Sequence, residues 1–431
     1  MAAKQLKNKL GKKTPLLMSP FGFALAACGG GAGETPIGSG ETETPIGSGL
    51  EKQSINVSDI AASFSLLMID TADYDFDGDQ DFIVSHGSYP PEERQSFQSF
   101  SLINDHGVLI RKEILGEPPL MTHGREGKFA DFNNDGFLDY IFVGHGWDTS
   151  PFSGEKNALF FGTSDGFEDK SSLLPDYLDF THSVAAGDLN GDGYNDIYVG
   201  NIYGEKMVNP YLLINTGDES FTEIELSDVN FNISSQRYLA AEIVDIDGDG
   251  TEELILGAYG APDGNRIYSF NATHQNMVLE QILPDNLFET SLVMDVKVAD
   301  LNTDGLLDIV ILSTPDYNGT GLQVLFQEED GSFLDATSSV LPVFDQTQNW
   351  VEFLELGDAD GDGDLDIIVS QTSDRGANAY LNENGVFVPH NAEFRLDGNR
   401  EWYEVALDPV TGEQYAAHVS DGILTIEQII I

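Results

Sequence analysis

One nine-residue pattern recurs six times along this chain of 431 residues, with starting points 55 to 58 residues apart. Its form is Asp-x-Asp/Asn-x-Asp-Gly-x-x-Asp/Glu, and the six copies begin at Asp73, Asp131, Asp188, Asp245, Asp300 and Asp358. A run of apolar β-branched or aromatic residues follows each copy directly. A pattern that returns at a nearly fixed period indicates a repeat architecture in which each copy belongs to one structural unit.

The acidic and amide positions of the pattern are candidate ligands for a hard cation. Ca2+ takes about 6–8 oxygen ligands at roughly 2.3–2.6 Å, and alternate residues of a tight loop can aim several of them inward. The sixth residue is Gly in every copy, which permits the sharp turn that such a loop needs, and the carbonyl of the seventh residue would then face the ion. The candidate metal residues at positions one, three, five, seven and nine are Asp73, Asp75, Asp77, Asp79 and Asp81; Asp131, Asn133, Asp135, Phe137 and Asp139; Asp188, Asn190, Asp192, Tyr194 and Asp196; Asp245, Asp247, Asp249, Thr251 and Glu253; Asp300, Asn302, Asp304, Leu306 and Asp308; Asp358, Asp360, Asp362, Asp364 and Asp366.

The EF-hand is the obvious alternative, because it starts with the same residues. It needs a bidentate Glu at position twelve and a helix on each side. The twelfth residues here are apolar: Val84, Phe142, Val199, Leu256, Ile311 and Val369. The segments that follow the loops are short and have strand composition. We therefore expect each acidic loop to connect two strands of a β-hairpin.

The charge balance limits the possible partners. With 20 basic and 73 acidic residues, the formal net charge is −53, which excludes a general nucleic-acid binder because phosphate contacts need basic patches. Such an excess of acid suggests a protein adapted to salty or calcium-containing surroundings. The sequence has no stretch of about 18 apolar residues, so we expect no membrane-spanning helix.

The N-terminal segment has the pattern of an export signal. Lysines precede a short apolar stretch, which ends in Leu25-Ala26-Ala27-Cys28. That tetrapeptide resembles the bacterial lipobox, whose cysteine is lipidated and becomes the mature N-terminus. We expect a lipoprotein signal peptide over residues 1–27, lipidation of Cys28, and a bacterial cell-surface or outer-membrane location with this lipid as the sole membrane contact. Plain secretion and an unprocessed tail are the alternatives. Residues 28–53 are rich in Gly, Ser, Thr, Pro and Glu, and we expect them to form a flexible tether.

Residues 54–431 have the size and strand spacing of a β-propeller. Each repeat contains four strand-like runs in about 57 residues, which is the size of one propeller blade. The 378 residues of this region hold six such units and a remainder of three strand-like runs, at 402–407, 414–419 and 423–429. Joined by an N-terminal strand near residues 55–60, the remainder would form a degenerate closing blade. The prediction is an all-β, seven-bladed β-propeller with calcium-binding hairpin loops, and a six-bladed propeller is the alternative.

Two segments carry a family resemblance. Residues 185–200 resemble an FG-GAP/VCBS repeat. They read Ala-Ala-Gly-Asp-Leu-Asn-Gly-Asp-Gly, two intervening residues, and then Asp-Ile-Tyr-Val-Gly. The second half of that repeat is matched by Leu213-Ile214-Asn215-Thr216-Gly217. This unit is found in integrin α-subunit propellers and in many bacterial surface proteins. The resemblance extends over about residues 60–395 and implies calcium loops on a β-propeller. The Gly260-Ala261-Pro262 signature occurs in one repeat, which favours the bacterial branch.

The face opposite the acidic loops is the candidate partner surface. In such a blade the loop between the second and third strands lies on this face, and five of these loops carry an aromatic residue: Tyr89, Trp147, Tyr203, Tyr259 and Tyr317. Aromatic rings with polar neighbours suit a glycan or a protein ligand, whereas packing between blades is the alternative. We expect a monomeric, calcium-stabilised extracellular propeller that mediates adhesion or ligand binding without catalysis.

An enzyme is the second hypothesis. The chain has neither a Gly-x-Ser-x-Gly elbow nor a His-Glu-x-x-His motif. His86 and His145 follow equivalent strands and could lie near His123 and His182, on the face opposite the acidic loops. A polysaccharide lyase or hydrolase that uses these histidines is therefore the alternative function.

Overall fold

The computed structural model describes most of the chain from residue 53 onward. The described residues are 53–57, 65–88, 96–147, 149–202, 209–226, 237–260, 264–315, 317, 319–341, 351, 353–369, 378–390, 404–407, 414–420 and 423–429. Cys28, and with it the predicted signal peptide and lipidation site, lies outside the described residues. The same is true of Tyr89 and Tyr203.

Strands dominate the described residues. In chain order they are β1 (Gln53–Asn56), β2 (Ser65–Ala72), β3 (Asp81–Ser88), β4 (Phe100–Asp105), β5 (Val108–Glu113), β6 (Gly124–Ala130), β7 (Asp139–Gly144), β8 (Ala158–Thr163), β9 (Gly166–Asp169), β10 (Thr181–Gly187), β11 (Asp196–Asn201), β12 (Tyr211–Asn215), β13 (Phe221–Glu225), β14 (Tyr238–Val244), β15 (Glu253–Ala258), β16 (Arg266–Asn271), β17 (Asn276–Ile282), β18 (Ser291–Ala299), β19 (Asp308–Pro315), β20 (Gly321–Gln327), β21 (Phe333–Asp335), β22 (Leu354–Gly357), β23 (Asp366–Val369), β24 (Asn378–Asn382), β25 (Phe387–His390), β26 (Glu404–Leu407), β27 (Gln414–Ser420) and β28 (Ile423–Ile429). A 3-10 turn (Ser171–Leu173) and one helical turn, α1 (Thr337–Val340), complete the elements. The fold is all-β, as the sequence predicts.

Strands β2 to β25 form six blades. Each blade is an antiparallel sheet of four consecutive strands, from β2-β3-β4-β5 (blade 1) to β22-β23-β24-β25 (blade 6). The first strands of successive blades contact one another in the order β2, β6, β10, β14, β18 and β22. First strands that meet around a common centre, with a four-stranded sheet extending outward from each, define a β-propeller.

A further four-stranded sheet joins the two ends of the chain. Strand β1 pairs with β28, β28 with β27, and β27 with β26, all antiparallel. Strand β26 contacts both β22 and β2, so this sheet completes the ring between blade 6 and blade 1. Its described residues contain no acidic loop. The chain therefore forms six repeat blades, and its remaining strands form a closing sheet of different construction rather than a seventh copy of the repeat.

The core lies between neighbouring blades. The second strands β7, β11 and β15 are buried along their whole length because adjacent blades cover both of their faces. Between blades 2 and 3, for example, Ile141 and Val143 pack with Ile197 and Val199. The fourth strands β5 and β13 are half-buried or exposed, as expected of an outer edge. This packing explains the apolar runs after each loop, since a single blade cannot bury its own faces.

The connectivity places the six acidic loops on one face of the ring. Each loop joins the first strand of a blade to the second. The loops that join second to third strands therefore lie on the opposite face, together with the starts of the first strands. Within the described part of the chain, the helical segments are too short to span a lipid bilayer.

Candidate functional site

The six acidic loops share one backbone conformation. The glycine at position six is left-handed in every loop, with φ between 89° and 96°. A Cβ added there would meet no atom within 4 Å in any of the loops, so glycine is required by the backbone conformation and not by space. Position four is also left-handed, with φ between 56° and 80°, which the sequence analysis missed. The glycines at this position in three loops, Gly191, Gly248 and Gly361, were the available signal.

The loops hold their own side chains in place. The first-position carboxylate accepts a hydrogen bond from the N–H of the sixth-position glycine in all six loops, at 2.7 to 3.1 Å. The fifth-position carboxylate accepts one from the N–H of the seventh residue, also in all six. In loop 4, which begins at Asp245, the Asp247 side chain accepts the N–H of Asp249 at 3.0 Å. These bonds draw the side chains at positions one, three and five over the same turn.

The ninth-position carboxylate is buried, and in five of the six blades it accepts an N–H from the third strand of its blade. In blade 2, Asp139 accepts the N–H of Phe132 at the start of the loop and the N–H of Gly162 on β8, both at 2.8 Å. In blade 6, Asp366 accepts the N–H groups of Ala359 and Asn382, both at 2.7 Å. This residue therefore has a structural role in addition to its predicted role as a ligand.

Burial makes the charged form of the ninth-position groups unfavourable. It raises the pKa of Asp81, Asp196 and Glu253 to about 8, of Asp139 and Asp308 to about 7, and of Asp366 to about 6. Hydrogen bonds from backbone N–H groups oppose this rise, and the neighbouring loop carboxylates add to it. A cation among these carboxylates would favour their charged forms.

The residues present fit a hard cation. In loops 1, 4 and 6 an oxygen from each of three carboxylates lies within 4.8 Å of the other two: Asp73, Asp75 and Asp81; Asp245, Asp247 and Glu253; Asp358, Asp360 and Asp366. In addition, Asp73 Oδ1 and Asp358 Oδ1 are buried and have no hydrogen-bond donor. Buried polar atoms are nearly always satisfied, so an oxygen of this kind is a natural cation ligand. Loops 2, 3 and 5 have Asn at position three, whose amide oxygen is also a ligand for hard cations.

Loop 1 contains a second acidic group that the sequence analysis missed. An oxygen of Asp77, an oxygen of Asp79 and a ring nitrogen of His106 lie within 4.8 Å of one another. Asp79 Oδ2 accepts the backbone N–H of His106 at 2.9 Å, and His106 Nδ1 lies 3.2 Å from the same oxygen. The carboxylate of Asp79 therefore faces the β4–β5 turn, while only its carbonyl was predicted as a ligand.

Three of the five predicted aromatic residues, Trp147, Tyr259 and Tyr317, are among the described residues. Trp147 is half-buried, and Tyr317 is 45% exposed. Tyr259 is half-buried, forms a backbone bridge to Leu292 of the next blade, and packs against a core cluster. The Arg237 guanidinium carbon lies 6.0 Å from the centre of the Tyr259 ring. Tyr259 therefore has the inter-blade packing that was the alternative explanation for these residues.

Three of the four noted histidines form a stack on that face. The ring centres of His123 and His145 lie 4.2 Å apart, and those of His145 and His182 lie 4.7 Å apart. Burial lowers the pKa of His145 and His182 well below the usual range, and the nearby Arg125 charge contributes in the same direction. These imidazoles are therefore neutral at pH 7. The side chain of His86 lies outside the described residues.

The first strands also carry a charged cluster at the centre of the ring, which the sequence analysis missed. We call it the axial cluster, and its members are Glu126 and Lys128 on β6, Glu242 on β14, Asp295 and Lys297 on β18, and Glu355 on β22. Lys297 Nζ lies 3.7 Å from both Asp295 Oδ2 and Glu355 Oε1. Alternating apolar and charged residues on each first strand predict that one face of the strand is polar. That these polar faces meet at the centre of the ring follows only from the arrangement of the blades.

Comparison with known proteins supports the repeat assignment. A family model described as the FG-GAP-like repeat matches residues 131–199, 245–311 and 300–369. Together with the fold and the acidic loops, this match shows a β-propeller in which these segments are FG-GAP-like repeats. The predicted resemblance to this repeat is confirmed, while kinship to bacterial surface lipoproteins stays a prediction.

Among curated proteins, integrin alpha-8 of Mus musculus is 27% identical over 226 residues. The match covers 49% of this chain and 21% of integrin alpha-8, so the chain spans about one fifth of the length of that relative. Two solved structures are also similar to this chain at low identity. The extracellular domain of BT4673, a proposed one-component system from B. thetaiotaomicron, is 13% identical with a TM-score of 0.48, over 88% of this chain and 40% of that one. Saccharomyces cerevisiae Sqt1 is 9% identical with a TM-score of 0.43, over 81% of this chain and 82% of that one.

Proposed function

We propose that this protein is a calcium-stabilised extracellular propeller that binds a glycan or protein ligand at the cell surface. The observation that carries the proposal is the convergence of carboxylates in the acidic loops, where three side chains of one loop offer oxygens within 4.8 Å of one another. An all-oxygen ligand set is typical of Ca2+, and Zn2+ sites would be expected to contain His or Cys. The match to the FG-GAP-like repeat, a resemblance that implies calcium loops on a propeller, supports the same role here.

Calcium would contribute much of the stability of the fold. Carboxylates a few Å apart repel one another by on the order of 1 kcal/mol per pair even in a high dielectric. Extracellular calcium modules bind with dissociation constants of about 10⁻⁴–10⁻³ M, so at a tenfold excess each loop would add about 1.4 kcal/mol to the free energy of unfolding, and six loops about 8 kcal/mol. That sum is comparable with the whole stability of an ordinary domain, about 5–15 kcal/mol.

Chelation tests the calcium part of the proposal. Thermal unfolding of the full chain in millimolar Ca2+ and in excess chelator is expected to differ by tens of degrees. Mg2+ at the same concentration is the control, because it demands a smaller octahedral site and should restore less of the stability. Equal melting temperatures in Ca2+ and chelator would contradict the proposal.

The ligand part of the proposal concerns the face opposite the acidic loops. Trp147 and the exposed Tyr317 lie there, on loops between second and third strands. A glycan and protein array probed with the calcium-loaded chain would identify a ligand. Replacing both residues by Ala is then expected to weaken its binding at least tenfold, while Leu334→Ala, on the outer edge strand β21, leaves it unchanged. Undiminished binding by the double variant would exclude this face.

The surface location rests on the N-terminal sequence, and the monomeric state on the closed ring. If Cys28 is the lipidation site, labelled palmitate should be incorporated into the full chain expressed in bacteria and lost in Cys28→Ser. Light scattering of the calcium-loaded protein should give the mass of one chain.

A polysaccharide lyase or hydrolase is the second candidate, and the histidine stack is the observation that favours it. Histidine is the side chain that most often acts as a general acid or base, and three imidazoles lie together here. An activity screen on polysaccharides, with the wild type and with His123→Ala in parallel, separates the two functions. Turnover that His123→Ala abolishes would establish an enzyme, and a lack of turnover on every substrate would leave the binding function.

A further inference from the structure

The structure links acidic loops of neighbouring blades through one position on the third strand. The tenth residue of each loop pairs with a residue on the third strand, and the linking position lies two residues further along that strand. Asn215, Gln327 and Asn382 occupy this position in blades 3, 5 and 6. We call these three residues the bridging amides. They are buried, with exposures of 1%, 6% and 2%.

Each bridging amide touches the loop of its own blade through its backbone. The N–H groups of Asn215, Gln327 and Asn382 donate to the ninth-position carboxylates at 2.8, 2.9 and 2.7 Å respectively. Those carboxylates are Asp196, Asp308 and Asp366, which are proposed calcium ligands. The backbone of the bridging amide thus fixes one ligand of its own loop.

The side chain of each bridging amide reaches the loop of the preceding blade. Asn215 Nδ2 donates to Phe132 O at 2.7 Å, Gln327 Nε2 to Ile246 O at 3.0 Å, and Asn382 Nδ2 to Leu301 O at 2.8 Å. The accepting carbonyl belongs in every case to position two of the loop. It lies between two proposed ligands, at positions one and three.

Two bridging amides use all of their side-chain hydrogen-bonding groups. Asn382 Nδ2 also donates to Leu365 O at 3.0 Å, and its Oδ1 accepts the N–H of Gly385 at 2.7 Å. Asn215 Nδ2 likewise donates to Asn195 O, and Asn215 Oδ1 accepts the N–H of Gly217, both at 3.0 Å. A buried amide satisfied on every side has one allowed orientation, and it can transmit a shift of one loop to the other.

We infer that the bridging amides couple calcium binding in adjacent loops, so that an ion in one loop raises the affinity of its neighbour. The inference rests on the proposed function, since it assumes that the loops bind Ca2+. An ion that orders one loop fixes the hydrogen-bonded partner in the next, so the second ion has less ordering to impose. Loops 2 and 3, 4 and 5, and 5 and 6 are coupled in this way.

The same position makes no amide link to a neighbouring loop in the other three blades, although the N–H of Asp188 in loop 3 donates directly to Glu252 in loop 4 at 2.6 Å. In blade 2 it is Gly162, which has no side chain to reach loop 1, and in blade 4 it is Phe270, which has no donor. In blade 1 it is Asn104, whose N–H donates to Asp81 at 2.9 Å and whose Oδ1 accepts the N–H of Gly107 at 2.9 Å. The sheet that precedes blade 1 carries no acidic loop among its described residues. Asn104 is therefore a matched control that has the same backbone bond and no loop to couple.

Terbium luminescence can measure the affinity of a single loop. Tb3+ replaces Ca2+ and emits when a nearby Tyr is excited. Loop 3 has Tyr194 at position seven, and Leu306 occupies that position in loop 5 with a similar half-buried environment. The luminescence that Leu306→Tyr adds to the wild-type signal therefore reports on loop 5.

The test disables loop 6 with Asp358→Ala and measures the terbium affinity of loop 5. We expect a loss of about fivefold or more when Asn382 is present, since coupling between sites is typically about 5–150-fold. When the chain also carries Asn382→Ala, we expect Asp358→Ala to cause no further loss of terbium affinity in loop 5. When it carries Asn104→Ala instead, Asp358→Ala should still lower the affinity of loop 5. Equal loop 5 affinity with and without loop 6, or a loss that survives Asn382→Ala, would overturn the inference.

Two further measurements keep the test decisive. If circular dichroism shows that Asn382→Ala does not fold, Gln327→Met provides the same test between loops 4 and 5, with loop 4 disabled by Asp245→Ala. A wild-type protein that binds neither Ca2+ nor Tb3+ would overturn the proposed function itself. Uncoupled binding of several ions would overturn only the coupling.

Discussion

Lys128 Nζ lies 3.0 Å from Glu242 Oε2, although the two residues are 114 positions apart and belong to blades 2 and 4. The same nitrogen lies 3.4 Å from Glu126 Oε1. Burial opposes the charge on Lys128, but the carboxylates of Glu242 and Glu126 outweigh it and raise the pKa of the ammonium group. This ion pair spans the centre of the ring and connects blades that are not sequence neighbours.

Removing the lysine is expected to leave buried carboxylates without compensation. Breaking one side of a buried ion pair typically costs about 3–5 kcal/mol, and we expect Lys128→Met to lower the free energy of unfolding by about that amount. Denaturant unfolding in saturating Ca2+ measures it. Lys112→Met, on the exposed edge strand β5, is the control and should change stability by less than about 0.5 kcal/mol.

The axial cluster also predicts a pH dependence. Burial raises the pKa of Glu126 to about 7, with Lys128 and Lys297 opposing the rise and Asp295 adding to it. Glu242, Glu355 and Asp70 are further acids that face these two lysines. Between the usual pKa of 4.5 and about 7, the folded state keeps a proton that the unfolded state has lost. Stability is therefore expected to fall as pH rises through this window, by about 1.4 kcal/mol per pH unit for each such proton.

Unfolding of the calcium-free protein at pH 5, 6 and 7 measures this slope. Glu126→Gln should reduce it, and the exposed Glu328→Gln should leave it unchanged. A slope of the same size in Glu126→Gln would show that another group is responsible.

The two roles within an acidic loop can be separated by mutation. Asp139 accepts two backbone N–H groups, whereas Asp135 lies on the exposed part of the same loop. Asp139→Ala should destabilise even the calcium-free protein by about 2–4 kcal/mol, because each buried donor left without an acceptor costs about 1–3 kcal/mol. Asp135→Ala should reduce only the stabilisation by calcium. Equal effects of the two variants in chelator would contradict this division.

The number of carboxylates predicts which loops bind most tightly. The loops that begin at Asp73, Asp245 and Asp358 have four acidic ligands each, and three of those acids already converge. The other three loops have an Asn at position three, so their ligand charge is lower by one. Calcium titrations of variants that retain one loop at a time should rank the first group as tighter, and the reverse order would contradict the ranking.

The sequence predicts the parts of this molecule that repeat. The acidic pattern and the apolar run after it give the loops, the hairpins and the blade size, because each is a local property of about nine to twelve residues. The left-handed fourth position was missed because Phe76, Asn134 and Thr303 occupy it as well as Gly.

Features that depend on the ring could not be predicted from one repeat. The axial cluster and the bridging amides are each formed by residues from different blades, at separations such as 81 positions for Asn382 and Leu301. The proximity of His123, His145 and His182, by contrast, was predicted from their positions in successive repeats. Of the predicted aromatic residues, Tyr259 packs between blades because its position next to Leu292 is set by the neighbouring blade.

Calcium stoichiometry tests the central claim most directly. The full chain, saturated with Ca2+ and dialysed against a buffer of known calcium concentration, is analysed for metal by plasma mass spectrometry and for protein by absorbance. The proposed function predicts close to one ion per acidic loop, six in all, and the loss of one ion when Asp300→Ala disables a single loop. One ion or none per chain, with a melting temperature that chelation does not change, would contradict it.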